Sequence, residues 1–145
     1  MDFYEWRERR GESADPETER YTSLLLDAAF DVHNELGAGH AEKTYEEALC
    51  HELTLRKIPF VRQAPVPVHY KGKCVGESWI DILVGGCLIV ELKSVERFTD
   101  VHRSQCIAYP AASGSRLALL INFNVASLKQ GIKRIVRDPG PTTSS

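Results

Sequence analysis

The sequence predicts one α/β (α+β) domain in which a mixed β-sheet is flanked by helices. Three observations predict this class: helical periodicity in the first third of the chain, extended apolar runs through its middle, and glycine or proline at the boundaries between segments. The expected order of elements is α-α-β-β-β-α-β. With 145 residues, the chain has the length of one domain with its own core.

The helical part comes first. Residues 1–19 are rich in charge and lack an apolar period, so they are expected to form an extension that is disordered or docked on the surface. The domain is expected to span residues 20–137, and residues 138–145 to form a flexible tail. Two helices are predicted, over about residues 20–36 and about residues 41–56. Their apolar stripes are Leu25, Ala28, Ala29, Val32 and Leu36 on the first, and Tyr45, Ala48, Leu49 and Leu53 on the second.

The extended part follows. Residues 61–70 alternate around two prolines, which favours a strand at the edge of the sheet because proline cannot donate to a ladder. Residues 79–84 and 88–92 predict a hairpin around Gly85-Gly86.

Three further elements are expected after the hairpin. A helix is predicted over about residues 99–113, and Pro110 should kink or shorten it. Residues 117–123 predict a buried strand, and residues 132–136 predict a short element of undefined type.

The composition restricts the classes of function. A net charge of −2 argues against a protein that coats nucleic acid with a generally basic surface, but it is compatible with an acidic catalytic cluster. No apolar run approaches the roughly 18–20 residues that span a bilayer, so no membrane partner is expected and a cytoplasmic location is predicted. The four cysteines form no C-x-x-C pair and are expected to be small apolar core residues, not zinc ligands or disulfides.

Three charged residues interrupt the apolar strands of the hairpin. Asp81 lies in the first run, and Glu91 and Lys93 lie in the second. A carboxylate in a strand that is apolar on both faces must be paired, protonated or bound to a metal. Alternation places Glu91 and Lys93 on one face, where the lysine could act on a water molecule or stabilise a phosphate. The simpler alternative is a ladder of salt bridges on a half-exposed sheet, which Glu77 would join.

The length of the hairpin loop decides whether Asp81 joins that pair. With a two-residue Gly85-Gly86 loop, Asp81 and Glu91 would lie on opposite faces. With a three-residue loop or a bulge, Asp81 would lie opposite Glu91 on the same face. A metal shared by the two acids therefore requires the odd-length loop.

The second helix adds a candidate acid. Glu42 shares the apolar face of Tyr45, so it could reach a site on the sheet. Its alternative role is to interact with the positive N-terminal end of the helix. Glu52 lies near the same face, but Arg56, four residues further on, offers it an ion-pair partner.

Two motifs together resemble a known family. Residues 39–45 (GHAEKTY) fit G-x-x-E-x-x-Y, and Asp81 with the Glu91-Leu92-Lys93 triplet fits D…E-x-K. With the V-H…L-G run before them and LLINF after them, the sequence resembles the GxxExxY protein family, a branch of the PD-(D/E)XK nuclease-like superfamily. The resemblance covers roughly residues 20–137.

The resemblance implies a restriction-endonuclease-like fold with a Mg²⁺ (or Mn²⁺) site. Asp81, Glu91 and Glu42 would bind the metal. Lys93 would be the catalytic lysine, and Gln105 on the next helix would support the site. The implied activity is hydrolysis of the phosphodiester bonds of DNA or RNA, and the alternative is a nuclease-like fold that binds nucleic acid or protein without catalysis. Homo-oligomerisation is left open. Roles are also left open for three histidines, His33, His40 and His102.

Overall fold

The computed structural model describes residues 5–8, 15–102 and 117–138, which build one mixed sheet with two helices packed against it. The elements are β1 (Glu5–Glu8), α1 (Pro16–Leu36), α2 (Glu42–Leu55), β2 (Phe60–Tyr70), β3 (Lys73–Val84), β4 (Leu88–Lys93), β5 (Leu117–Asn122), a short 3-10 helix (Leu128–Gly131) and β6 (Ile132–Asp138). The predicted fold class is confirmed. The element of undefined type near the C-terminus is a strand, β6.

Helix α1 begins earlier than its apolar periodicity predicts. Asp15 caps the helix, because its carboxylate accepts hydrogen bonds from the backbone N–H (3.0 Å) and the hydroxyl (2.8 Å) of Thr18. These bonds hold the pKa of Asp15 below its usual value. Pro16 occupies the first turn, where a missing N–H costs nothing, and Glu17 and Glu19 suit the positive end of the helix. The cap and the charges thus explain why the first turn of α1 is helical although its sequence has no apolar period.

The strand order of the sheet is β1-β6-β5-β4-β3-β2. β2 is an edge strand, as its prolines predict, and β1, from the predicted N-terminal extension, pairs with β6 at the other edge. β4 and β5 are parallel, whereas the other neighbours are antiparallel. The parallel pair is central and covered on both faces, which explains the continuous apolar runs of its sequence.

Two apolar clusters cover the two faces of the sheet. The helix-side cluster joins α1 and α2 to alternate residues of β4 and β5, and the opposite cluster contains the residues between them. The strand residues of the helix-side cluster include Leu88, Val90, Leu92, Leu117, Leu119 and Ile121. Those of the opposite cluster are Ala64, Val66, Ile80, Ile89, Ala118, Leu120 and Ile135.

Three residues connect β3 to β4, namely Gly85, Gly86 and Cys87. Both glycines have positive φ angles, of 60° and 72°. A Cβ atom on Gly85 would also overlap the ring of Tyr21 on α1, so glycine is required there for two independent reasons. The odd-length loop that a shared metal site requires is therefore present.

The helix predicted after β4 and the cysteines that were expected in the core need separate comment. Residues 100–102 are helical, but most of the helix predicted over residues 99–113 lies outside the described residues, including Gln105 and Pro110. Cys50 is buried as predicted, whereas Cys74 is exposed because it lies on the outer part of the β2–β3 hairpin, which none of the described elements covers. Neither α1 nor α2 is long and apolar enough to cross a membrane.

Candidate active site

β3 and β4 separate at the position of the two candidate acids. Their ladder ends at the pair Ile82–Val90, and one step further Asp81 lies opposite Glu91. Beyond the ladder, the side-chain carboxylates of the two acids accept hydrogen bonds from backbone N–H groups of the opposite strand. The N–H of Leu92 donates to Oδ2 of Asp81 (2.8 Å), and the N–H of Asp81 donates to Oε1 of Glu91 (3.2 Å). The two acids therefore meet where the strands diverge.

At Asp81, the side chains of β3 also switch from one face of the sheet to the other. Ile82 packs in the helix-side cluster, but Ile80, two residues earlier, packs in the opposite cluster. In a regular strand, residues two apart share a face, so β3 rotates at Asp81. On β2, Arg62 pairs with Ile82 and Ala64 pairs with Ile80, which places Gln63 beside Asp81.

Gln63 has a backbone conformation that is uncommon for a residue other than glycine. Its φ angle is 51°, in the left-handed region, inside a strand. Its amide donates to Oε1 of Glu46 on α2 (2.7 Å) and lies 3.4 Å from Oδ1 of Asp81. Arg62 holds the other oxygen of Glu46 (2.7 Å). A partly buried ion pair between β2 and α2 is thus connected through Gln63 to Asp81.

Glu46 and Gln63 were not among the residues that the sequence singled out. Glu46 has a visible signal, because it follows Glu42 by four residues and so lies on the same helical face. Gln63 has no such signal, since nothing in its neighbours indicates a left-handed conformation.

Lys93 and Glu42 form the outer part of the site. Nζ of Lys93 lies 3.9 Å from Oε1 of Glu42 across the gap between β4 and α2. The lysine side chain is 13% exposed and that of the glutamate 47%, so the pair lies where the interior opens to solvent. Partial burial raises the pKa of Glu42; the charge of Lys93 opposes this shift and that of Asp81 adds to it. Lys93 thus stands between acids of the helix and acids of the sheet.

A network of hydrogen bonds holds the start of α2 against the end of β4. The hydroxyl of Tyr45 donates to the carbonyl of Gly37 (2.5 Å) and accepts from the N–H of His40 (3.2 Å). The hydroxyl of Ser94, directly after Lys93, donates to the carbonyl of His40 (2.7 Å). The loop between the helices is therefore attached to the strand that carries Lys93, which fixes the position of Glu42.

Asn122 holds the chain that follows Lys93. This buried residue on β5 accepts from the N–H of Val95 (3.1 Å) and donates to its carbonyl (2.7 Å). It also accepts from the N–H of Asn124 (3.1 Å). Because Asn122 pairs with Lys93 in the parallel ladder, these bonds fix the end of β4.

Glu91 is the most perturbed acid of the site. It is 3% exposed, and burial, followed by the charge of Asp81, raises its pKa to about 9. The ladder of salt bridges on a half-exposed sheet is not what these residues form, because Glu91 is buried and Glu77 lies on the exposed outer part of the hairpin.

The metal-free protein is expected to lose stability as the pH rises. The pKa of Glu91 is raised to about 9 in the folded state from an ordinary 4.5. Between these two values the folded chain holds a proton that the unfolded chain has released, so the free energy of unfolding decreases with increasing pH. In EDTA, Tm should fall between about pH 5 and about pH 9, and Glu91→Gln should flatten that dependence. Equal slopes for the wild type and Glu91→Gln would contradict this expectation.

The structure brings together four of the five predicted site residues in two contacts, Asp81 with Glu91 and Lys93 with Glu42. Gln105 lies outside the described residues. Among residues 15–102 and 117–136, no three His, Cys, Asp or Glu side chains converge closely enough to hold a metal, so Glu42 as third ligand stays a prediction. A cleft of about 570 Å³ opens beside Asp81. It is lined by Glu42, Lys43, Glu46, Glu47, Arg62, Gln63 and Asp81.

The three histidines whose roles were open each contact a backbone group. His33 Nε2 lies 2.8 Å from the carbonyl of Val125, and His40 Nε2 lies 3.1 Å from that of Leu36. Nδ1 of His102 accepts from the N–H of Thr99 (3.1 Å). These contacts account for the histidines as residues that fix loops.

Glu52, the alternative to Glu42 on the second helix, has ion-pair partners of its own. Arg56 donates to Glu52 (2.7 Å), as the spacing predicts, and also contacts Asp31 on α1. Glu52 therefore belongs to an ion-pair cluster between the two helices, away from Asp81.

Comparison with known proteins gives one match. The family model described as the PD-(D/E)XK nuclease superfamily matches residues 19–135. No curated protein and no solved structure matches the chain. The match confirms the superfamily that the two motifs together indicated, and the GxxExxY branch stays a prediction compatible with it.

Proposed function

Because the chain belongs to the PD-(D/E)XK nuclease superfamily, we propose that it is a Mg²⁺- or Mn²⁺-dependent nuclease that hydrolyses phosphodiester bonds of DNA or RNA. The observation that carries the proposal is the meeting of Asp81 and Glu91 where β3 and β4 separate, with Lys93 on the face of Glu91. Glu91 is buried beside Asp81, and burial together with the charge of Asp81 makes ionisation of Glu91 costly. A cation is the simplest group that offsets this cost.

The residues fit a hard divalent cation. Mg²⁺ prefers oxygen ligands, commonly one or two carboxylates, and keeps several water molecules. Backbone N–H groups hold Oδ2 of Asp81 and Oε1 of Glu91, so the cation would bind the other oxygen of each, and Gln63 lies 3.4 Å from that oxygen of Asp81. When bound, the metal would supply a Lewis acid and an activated water molecule.

Lys93 would act on charge that develops during the reaction. Its ammonium group lies 3.9 Å from Glu42 and its side chain is mostly shielded from solvent, so little reorganisation is needed when negative charge forms nearby. From the same face as Glu91, it can orient the attacking water molecule and stabilise the phosphoryl oxygens.

Gln63 would position Asp81 for this site. We expect Gln63→Ala to weaken Mn²⁺ binding and cleavage by about 10- to 100-fold, as is typical when a group that orients a metal ligand is removed. Gln63→Gly should lose the same function but melt at a higher temperature than Gln63→Ala, because glycine adopts a φ of 51° without strain. Wild-type Mn²⁺ affinity in both variants, measured calorimetrically, would exclude a positioning role.

A cleavage assay on several substrates tests the proposed function. The full chain is incubated with supercoiled plasmid, linear duplex DNA, single-stranded DNA and a structured RNA, in Mn²⁺, in Mg²⁺ and in EDTA. Cleavage of at least one substrate that requires metal supports the nuclease. Nucleic-acid binding without cleavage in either metal would favour the non-catalytic binding module.

A further inference from the structure

The outer part of the β2–β3 hairpin projects from the body of the protein. Residues 67–77, here called the arm, are all exposed. Among the residues that the structure describes, β3 pairs with β4 only at residues 82–84, so along the arm β2 and β3 pair only with each other. From the four paired positions between residues 67 and 77, the arm extends about 13 Å.

The arm carries large apolar side chains that no element in the described part of the chain covers. Val68, Tyr70 and Val75 are exposed, and they are three of the exposed large hydrophobic residues within the described ranges. A two-stranded ribbon with no layer against it is only marginally stable in water. Side chains of this kind on such a ribbon indicate that a partner covers it.

The positive charge at the end of the arm indicates a negatively charged partner. Its tip is the turn Lys71-Gly72, where both residues have positive φ (48° and 83°), as in the tight turns that join antiparallel strands. Lys71 and Lys73 therefore stand at the free end, and the ammonium of Lys71 lies 5.3 Å from the centre of the Tyr70 ring. Against these two cations, the arm has one acid, Glu77, in a chain whose net charge is −2. A phosphate backbone fits this tip better than a second copy of the chain, whose own arm would bring the same cations.

We propose that the arm enters the major groove of B-form duplex DNA and places the duplex against the site at its base, so that the substrate of the proposed nuclease is double-stranded DNA. The proposal rests on the proposed function. A two-stranded β-ribbon fits the major groove, which is about 12 Å wide, whereas the major groove of A-form RNA is too narrow to admit one.

The position of the arm relative to the site supports this arrangement. β3 carries Asp81 four residues beyond the base of the arm and Lys73 at its tip, about 26 Å apart in an extended strand. The exposed indole of Trp79 lies between them on the same strand. The tip would therefore contact phosphates several base pairs from the cleaved bond and contribute to binding, not to the chemical step.

The test uses the full chain and a matched control variant. In the double variant Lys71→Asn with Lys73→Gln, both charges are lost but the turn is kept, since asparagine tolerates a positive φ. The control is Lys57→Asn, an exposed lysine of the same left-handed conformation (φ 56°) that lies before β2, off the arm. Binding is measured by fluorescence anisotropy in EDTA with labelled 20-base-pair DNA, 20-base-pair RNA and a DNA single strand.

The arm variant should bind duplex DNA at least about tenfold more weakly, with the slope of log Kd against log salt reduced by about two. Lys57→Asn should bind as the wild type does, and duplex RNA and single strands should bind more weakly than duplex DNA. Unchanged duplex affinity in the arm variant, an equal loss in Lys57→Asn, or equal binding of the three nucleic acids would overturn the proposal. A wild-type dimer in light scattering that the arm substitutions dissociate would also overturn it.

The binding and cleavage assays distinguish an error in the proposal for the arm from an error in the proposed nuclease activity. Because binding is measured in EDTA, it does not depend on Asp81 and Glu91. If the chain binds duplex DNA through the arm but neither binds metal nor cleaves, the proposal for the arm stands and the proposed nuclease activity is wrong. Metal-dependent cleavage with unchanged duplex affinity in the arm variant would show the reverse.

Discussion

Asparagine at position 81 is expected to lower metal-dependent cleavage by about 10³-fold while leaving the fold intact. In the wild type, the N–H of Leu92 donates a hydrogen bond to Asp81 (2.8 Å). The side-chain oxygen of asparagine can still accept this bond, so the separation of β3 and β4 at this point is preserved. The negative charge that the proposed metal site needs is lost. The reduction should appear in kcat with little change in nucleic-acid affinity in EDTA, because the missing charge acts in the transition state.

Asp31→Asn is the matched control for this prediction. It makes the same chemical change at an exposed acid on α1 that contacts Arg56, away from the strand divergence. Initial rates with a labelled substrate in Mn²⁺ should match the wild type for Asp31→Asn. Comparable rates in the wild type and Asp81→Asn would show that Asp81 takes no part in catalysis.

Alanine at position 45 is expected to destabilise the protein by about 3–5 kcal/mol, the usual cost of removing a buried aromatic ring. Tyr45 is fully buried, and its ring stacks on that of Phe123 with centroids 4.6 Å apart. Its hydroxyl also joins Gly37 to His40 in the loop before α2. Urea denaturation measures the loss, and an unchanged m-value would show that the folded and unfolded states are otherwise alike.

Tyr45→Phe separates the ring from the hydroxyl. It keeps the stacking on Phe123 and removes two hydrogen bonds, so we expect a loss of about 1–2 kcal/mol. Because these bonds fix the start of α2, both variants should loosen the contact between Glu42 and Lys93 and reduce cleavage. If alanine costs no more than phenylalanine, the stacked ring is not the source of stability.

Features that depend on local patterns were predictable from the sequence. The prolines of β2 indicate an edge strand, and alternation places Glu91 and Lys93 on one face. The pair Glu52–Arg56 follows from helical spacing. Each of these depends on residues within a few positions of one another, for which the geometry of a helix or strand is sufficient.

Features that depend on tertiary packing were not predictable. The left-handed conformation of Gln63 follows from the rotation of the hairpin, which packs Ile80 and Ile82 on different faces of the sheet. Asn122 looks like an ordinary strand residue in sequence, yet it holds Val95 from a neighbouring strand end. Strand β1 pairs with residues near the other end of the chain, a long-range contact that a charged segment does not indicate.

The site was predictable in part for the same reason. The D…E-x-K spacing gave the two acids and the lysine, but their meeting depended on a loop of odd length, which the sequence Gly85-Gly86-Cys87 left open. The ring of Tyr21 on α1 restricts Gly85, so a contact from a distant helix contributes to the register.

Calorimetric titration of the metal-free protein with Mn²⁺ shows whether Asp81 and Glu91 form a metal site. The wild type and Asp31→Asn should bind the metal with the same affinity, and Asp81→Asn should bind it at least about tenfold more weakly. Equal Mn²⁺ affinity in the wild type and Asp81→Asn, or no binding by the wild type at millimolar metal, would contradict a metal site at Asp81 and Glu91.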